Sequence, residues 1–136
     1  MSRAFDAGLA EVSLREDVSL LAYSPLAQGY LTGKYRHGAR PEGARKTLFE
    51  RHFRYEGPGG VEMIDKYLDL AAELGVTPEQ LALKFVDTRK FTTSTIIGAT
   101  TMAQLKSDID AFDLDWTTDM EKRVNALHAS HPTPCP

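Results

Sequence analysis

The stretch from Val18 to Lys34, VSLLAYSPLAQGYLTGK, constrains this chain most, because it joins a short strand-like run to a glycine-bearing loop that ends on a cation. Val18 to Ala22 is apolar at four of five positions, and Pro25 stops the run. Gly29 and Gly33 then let the backbone come close to a ligand with no Cβ in the way. Lys34 closes the segment with a mobile ammonium. A strand, a loop of this kind and a lysine suit an anion; they also suit an ordinary turn with a surface lysine.

Around this stretch the pattern alternates helix and strand. Phe5, Leu9 and Val12 recur at helical spacing, which predicts a helix over 3–16 ahead of a strand over 18–23. From Val61 the pattern is helical again, with Ile64, Tyr67, Leu68 and Ala71 on one face and Gly75 as its stop. Thr77-Pro78-Glu79-Gln80 opens the next helix with a capping box and a proline at the first helical position; Leu81, Ala82, Phe85 and Val86 form its apolar face, and it ends near Arg89. A second strand is predicted over 94–98. Thr101 and Gln104 make another T-x-x-Q box, and Met102, Leu105, Ile109 and Phe112 are the expected buried stripe of the helix that follows. Thr118 to Glu121 reads as a third box, opening a last helix with Met120, Val124 and Leu127 inward, before a frayed tail over 131–136.

Two strings in this order carry a resemblance. Ser24 to Tyr35, S-P-L-A-x-G-x-L-T-G-K-Y, is similar to the segment after the seventh strand of aldo-keto reductases, and Ser94 to Leu105 is similar to that family's eighth strand and the start of its next helix. The resemblance runs from Arg3 to about His128, with the bacterial branch that includes the Tas-like reductases as the nearest match. It implies an α/β fold: part of a (β/α)₈ barrel, the C-terminal half with strands 7 and 8 and their helices. Such a barrel takes about 250 residues, and this chain has 136. The expected organisation is one half-domain over 1–136, with an ordered core over 1–130 and a long basic loop over 35–60. The family's catalytic Asp, Tyr, Lys and His lie in the part that precedes it, so no catalytic residue carries over.

What the resemblance does imply is a nicotinamide cofactor, NADP with NAD as the other option. Its pyrophosphate would be clasped by Ser24, Pro25, Leu26, Gln28, Gly29 and Lys34. Arg45 matches the family's basic residue for the adenosine end, where a guanidinium can stack on a base and fork to a phosphate. Gly98 and Thr100 would hold the adenosine phosphate at the helix start, and Gln104 and Asp108 would face the adenine. The match departs from the family at two places. Thr100 and Thr101 stand where many relatives carry a Lys or Arg, and Asp108 stands where they carry Asn; a carboxylate only accepts hydrogen bonds and repels a phosphate.

Charge and composition limit the rest. The 35–60 stretch holds Pro41, Gly43, Gly57, Pro58, Gly59 and Gly60, which is breaker chemistry in a long connection. Between Lys34 and Arg54 the chain also gathers Lys34, Arg36, Arg40, Arg45, Lys46, Arg51 and Arg54, seven of the sixteen Lys and Arg, against Glu42 and Glu50. In a chain of net charge −3 these cations either face an anion or pair with acids elsewhere; for Arg36 and Arg54 a solvated surface role is expected. That net charge gives no sign of nucleic-acid binding. No apolar run reaches membrane-span length and Met1 to Asp6 lacks a signal-peptide core, so a cytoplasmic protein with no membrane partner is expected. Cys135 is the only cysteine, which leaves neither an intrachain disulfide nor a metal cluster, and His37, His52, His128 and His131 read as surface residues.

Two functions follow. One is the cofactor-holding part of an NADPH-dependent aldehyde or ketone reductase, inactive by itself; the other is a non-catalytic cofactor-sensing or assembly module derived from the same fold. Tyr23, Tyr30, Tyr35, Tyr55 and Tyr67 have no Lys or Asp at a spacing that would tune them as acids. Two parallel strands cannot close a barrel, so either a homodimer or pairing with a missing N-terminal half is expected.

Overall fold

Leu20 to Ala22 (β1) and Thr92 to Thr95 (β2) pair in parallel, with Leu20 opposite Thr92, Leu21 opposite Ser94 and Ala22 opposite Thr95. In the computed structural model, which describes residues 1–49 and 53–135, this pair is the only sheet among the described residues. A parallel pair needs a long crossover. Here it consists of a short helix α2 (Arg45–Leu48), then α3 (Gly60–Glu73) and α4 (Pro78–Asp87). Helix α1 (Leu9–Arg15) precedes β1, and α5 (Met102–Asp110) and α6 (Thr118–Ser130) follow β2. Among the described residues no helix is long and apolar enough to cross a membrane.

Helix α4 follows the local code. Thr77 accepts from the Gln80 N–H while Gln80 Oε1 accepts from the Thr77 N–H, and Pro78 stands in the first turn. Such a cap contributes about 1 kcal/mol. Gly75, with φ of 69°, ends α3 as expected. The two helices meet the segment after β1 and α6 through two apolar clusters. Tyr30, Leu31, Tyr35, Tyr55, Ile64, Leu68 and Cys135 form one with Ala27, and Leu70, Ala71, Leu81 and Val124 form the other.

Several elements differ from the sequence reading. The helix over 3–16 is only α1, because Gly8 at φ 149° separates the turn before it, and Leu9 and Val12 are exposed rather than core. The first strand is three residues long, not six. The second lies two residues earlier than expected and consists of the polar run Thr92-Thr93-Ser94-Thr95, so the strands are not both apolar on successive residues. Register decides this: pairing with Leu20 to Ala22 falls on Thr92 to Thr95, and Ile96 adds one bond, its N–H donating to Ala22 O at 2.7 Å.

The 35–60 stretch is not without structure. It holds α2, a 3-10 turn over Arg36–Gly38 and another over Phe53–Glu56. In α5 the expected stripe fails: Met102 is 77% and Ile109 55% exposed, while Asp108 is buried. The last helix is capped one residue earlier than predicted, by Thr117, whose side chain accepts from the Met120 N–H. The tail is docked rather than frayed: Cys135 is buried in the first cluster, and Arg54 Nη2 donates to its carbonyl at 3.3 Å.

Candidate functional site

Parallel pairing sends both candidate loops off the same end of the sheet. Residues after Ala22 and residues after Ile96 leave side by side at the C-terminal ends of β1 and β2, the end where parallel α/β sheets place ligands. Ser24 to Lys34 and Gly98 to Gln104 are thus neighbours at one rim.

The first loop is folded tightly by local bonds. Ser24 O accepts from the Ala27 N–H at 2.9 Å, and Leu26 O accepts from both Gly29 and Leu31 N–H groups. Ser24, Ala27 and Gln28 have positive φ values of 55°, 49° and 58°, which is uncommon for residues with a Cβ and costs roughly 1–3 kcal/mol each where the surroundings impose it. Pro25, Leu26 and Gln28 are half-buried and Gly29 is buried. Lys34 bends back over Gly29: a Cβ there would lie 2.8 Å from Lys34 Nζ. Thr32 Oγ1 donates to Gly29 O at 2.9 Å and fixes the turn beneath it.

Tyr35 is the residue of this site that the sequence reading passed over. Its ring lies 5.3 Å from Lys34 Nζ, and its hydroxyl accepts from the Lys46 N–H at 3.3 Å, which ties the start of α2, and with it Arg45, to the loop. The signal was an aromatic directly after the motif lysine.

The charge balance separates the basic residues into two groups. Arg36 pairs with Asp65 at 3.1 Å and Asp69 at 2.7 Å on α3. Arg40 lies 3.8 Å from Glu56, and Lys46, although on a surface stretch, is buried in an ion pair with the same carboxylate while its ammonium sits 5.0 Å above the Tyr30 ring. Arg54 is spent on the tail. Lys34 and Arg45 are exposed and, among the described residues, have no carboxylate within ion-pair distance. Glu50, Arg51 and His52 lie outside the described residues.

At the second loop Gly98 and Thr100 are exposed. Thr101 caps α5 by accepting from the Gln104 N–H at 3.2 Å, but Gln104 Oε1 accepts from the N–H and the hydroxyl of Thr100, at 2.8 and 2.9 Å, rather than from the cap residue's own N–H. Thr100 and Gln104 thus hold each other. Asp108 stands apart from them: it is 4% exposed, and burial followed by the neighbouring Glu79 raises its pKa from the ordinary aspartate value. The structure therefore puts Ser24, Pro25, Leu26, Gln28, Gly29 and Lys34 on the stretch after β1, ties Arg45 to it through Lys46 and Tyr35, sets Gly98, Thr100 and Gln104 after β2, and puts Asp108 inside the helix packing. No group of three or more His, Cys, Asp or Glu fit to hold a metal occurs among the described residues.

The sequence model of the Aldo/keto reductase family matches residues 1–129. Protein tas of Escherichia coli is 46% identical over 136 residues, covering all of this chain and 39% of its own length. An aldo-keto reductase of Babesia bovis is 35% identical over 116 residues, covering 82% of this chain and 41% of the relative. A probable voltage-gated potassium channel subunit beta of Arabidopsis thaliana is 35% identical over 104 residues, 71% of this chain and 30% of the relative. The chain thus spans about two fifths, or less, of the length of these relatives. A glycerol dehydrogenase structure from Gluconobacter oxydans superposes with a TM-score of 0.72 over 99% of this chain and 41% of that one, at 22% identity, which shows a likeness of fold to part of a barrel enzyme. With a family match over almost its whole length and both loops on one strand end, the chain belongs to the aldo/keto reductase family.

Proposed function

We propose that this chain is the cofactor-holding part of a nicotinamide-dependent aldehyde or ketone reductase, with β1 and β2 as the seventh and eighth strands of the barrel, and that it acts in the cytoplasm. The observation that carries the reading is a pair of cations, Lys34 and Arg45, that no carboxylate neutralises among the described residues, beside a buried glycine turn at the strand ends. Those residues fit a pyrophosphate: Lys34 supplies the mobile charge, Gly29 admits close approach, and Arg45 reaches toward an adenosine phosphate. Thr100 and Gln104 join in once their mutual bond opens. NADP is favoured over NAD because a 2′-phosphate gives Arg45 an anion to neutralise. When bound, the nicotinamide supplies the hydride.

A non-catalytic module is the second reading, favoured by one observation: no tyrosine hydroxyl among the described residues bonds a lysine ammonium or an aspartate carboxylate, the Tyr35 hydroxyl meeting only the backbone N–H of Lys46. On either reading the isolated chain reduces no 4-nitrobenzaldehyde above the buffer rate, and as a cofactor-holding or cofactor-sensing part it binds cofactor. Titration with NADPH followed by fluorescence should show weak saturable binding that Lys34→Ala with Arg45→Ala removes. Equal binding by the double variant would overturn the assigned site. Turnover by the isolated chain would overturn the claim that it is inactive alone.

A further inference from the structure

Between β1, α3 and α4, on the side where Leu20 and Ala22 point, lies a cavity of about 380 Å³ covered by residues 1–6. Its walls are apolar, made largely by Leu20, Leu68, Leu81, Phe85 and Phe91. The volume falls at the lower end of the roughly 300–1,000 Å³ typical of small-molecule sites, and apolar cavities of much smaller size take up apolar ligands rather than water.

Two buried polar atoms in this lining have no hydrogen-bond partner among the described residues: Arg3 Nη2 and Thr92 Oγ1. The Phe5 and Phe91 rings, 5.1 Å apart, hold the segment that carries Arg3 against the residue before Thr92. Arg3 also makes no ion pair among the described residues, although Asp6 and Glu121 act on it from farther off. Its Nη1 donates to the Asn125 amide oxygen at 2.6 Å, and its guanidinium stacks 4.5 Å over Phe85. Arg89 on the same ring, at 4.4 Å, is neutralised by Glu121. Asp6, the one carboxylate among the described lining residues, is exposed and makes no ion pair with Arg3. Arg3 is half-buried as a residue, but its Nη2 is shut off from solvent, and such an unsatisfied arm is matched by an acceptor that carries negative charge.

We propose that this cavity binds a small apolar carboxylate, whose head accepts from Arg3 Nη2 and Thr92 Oγ1 and whose hydrocarbon part lies against Leu81 and Phe85. The site goes beyond the cofactor reading: it shares only Ser24 and Pro25 with the cofactor candidates and lies on the helix side of the sheet.

The test is calorimetric titration of the chain with octanoate, octanol and octylamine, which share a hydrocarbon chain and differ in charge. Octanoate should bind with one site per chain, octanol at least about tenfold more weakly, and octylamine not measurably. Arg3→Met should bring octanoate down to the level of octanol and leave octanol unchanged. Thr92→Val should weaken octanoate by a smaller factor. Should Arg3→Met not fold, Arg3→Lys, which keeps the charge but loses the fork, should weaken octanoate severalfold. Absence of saturable octanoate binding, equal affinity for octanoate and octanol, or unchanged octanoate affinity in the folded Arg3 variant would each overturn the proposal. None of these arms uses the cofactor, so their failure leaves the Lys34 and Arg45 site to its own test.

Discussion

Lys34 lies folded over Gly29, with its Cε 2.5 Å and its Nζ 2.8 Å from where a Cβ on Gly29 would stand. The far end of a lysine moves easily, so the contact itself resists substitution little. The backbone resists more, because Gly29 has φ of 94°. Gly29→Ala should therefore cost about 1–2 kcal/mol from strain, whereas Lys34→Ala, at an exposed position, should stay within about 0.5 kcal/mol. Urea unfolding of both variants checks this. Equal losses would mean that Lys34 holds the turn rather than merely resting on it.

Gly60 is the opposite case. A Cβ there would meet Tyr55 O at 2.6 Å and Cys135 Sγ at 3.0 Å, one of them backbone and both in the buried cluster. Neither can swing away without moving the 3-10 turn or the tail. Gly60→Ala should cost more than Gly29→Ala, about 2–3 kcal/mol as overpacking does, and should raise the reactivity of Cys135 toward a thiol reagent. A Cys135 that reacts at the same rate in both proteins would show that the tail is not held by this contact.

What the sequence made legible follows from where the information lies. The Thr77 box and the Gly75 stop rest on contacts a few residues apart, and both elements stand where local chemistry puts them. The second strand was displaced because Ile96 and Ile97 look more strand-like than Thr92 to Thr95, yet its position is fixed by partners some seventy residues away. The α5 stripe misled for a related reason: periodicity finds an apolar face but not what lies opposite it, and here Met102 and Ile109 meet solvent while Asp108 packs inward. The rim was legible through its motifs. The division of its cations into paired and unpaired ones was not, since Asp65, Asp69 and Glu56 come to them only through the fold.

Glu121 gives the chain a pH-dependent clasp. Arg89 donates two hydrogen bonds to it, at 2.5 and 3.1 Å, and Trp116 Nε1 and Asn125 Nδ2 donate two more, at 2.9 and 3.0 Å. The Arg89 bond foremost, against the opposing effect of burial, lowers its pKa from 4.5 to about 2. A carboxyl whose folded pKa lies below its unfolded one contributes stability that is complete above the unfolded value and is lost as pH falls through the folded one. Glu121→Gln should therefore cost about 1–2 kcal/mol at pH 7, a figure discounted for side chains 20% and 30% exposed. The difference between wild type and variant should shrink from about pH 5 downward and vanish near pH 2. A gap in urea midpoint that stays constant from pH 7 to pH 3 would remove Glu121 as its source.

Self-association is the remaining expectation. Leu21, Tyr23 and Ile96 are exposed on or beside a two-stranded sheet, Val18 at the approach to it, and Leu9, Val12 and Leu14 on α1. Each large apolar side chain left in water forgoes about 1.5–3 kcal/mol relative to full burial. The outer edges of β1 and β2 also carry backbone groups open to pairing with another chain. Since two parallel strands cannot close a barrel, we propose that the chain covers this face with a second copy, two-fold symmetry being the commonest closed arrangement. Light scattering at micromolar concentration should give twice the 15.1 kDa chain mass. Leu21→Lys with Ile96→Lys should give a monomer with unchanged far-ultraviolet circular dichroism, because both side chains already reach solvent in the single chain. A folded 15.1 kDa monomer in the wild type would refute the dimer. A dimer that survives both lysines would move the interface away from the sheet and onto α1.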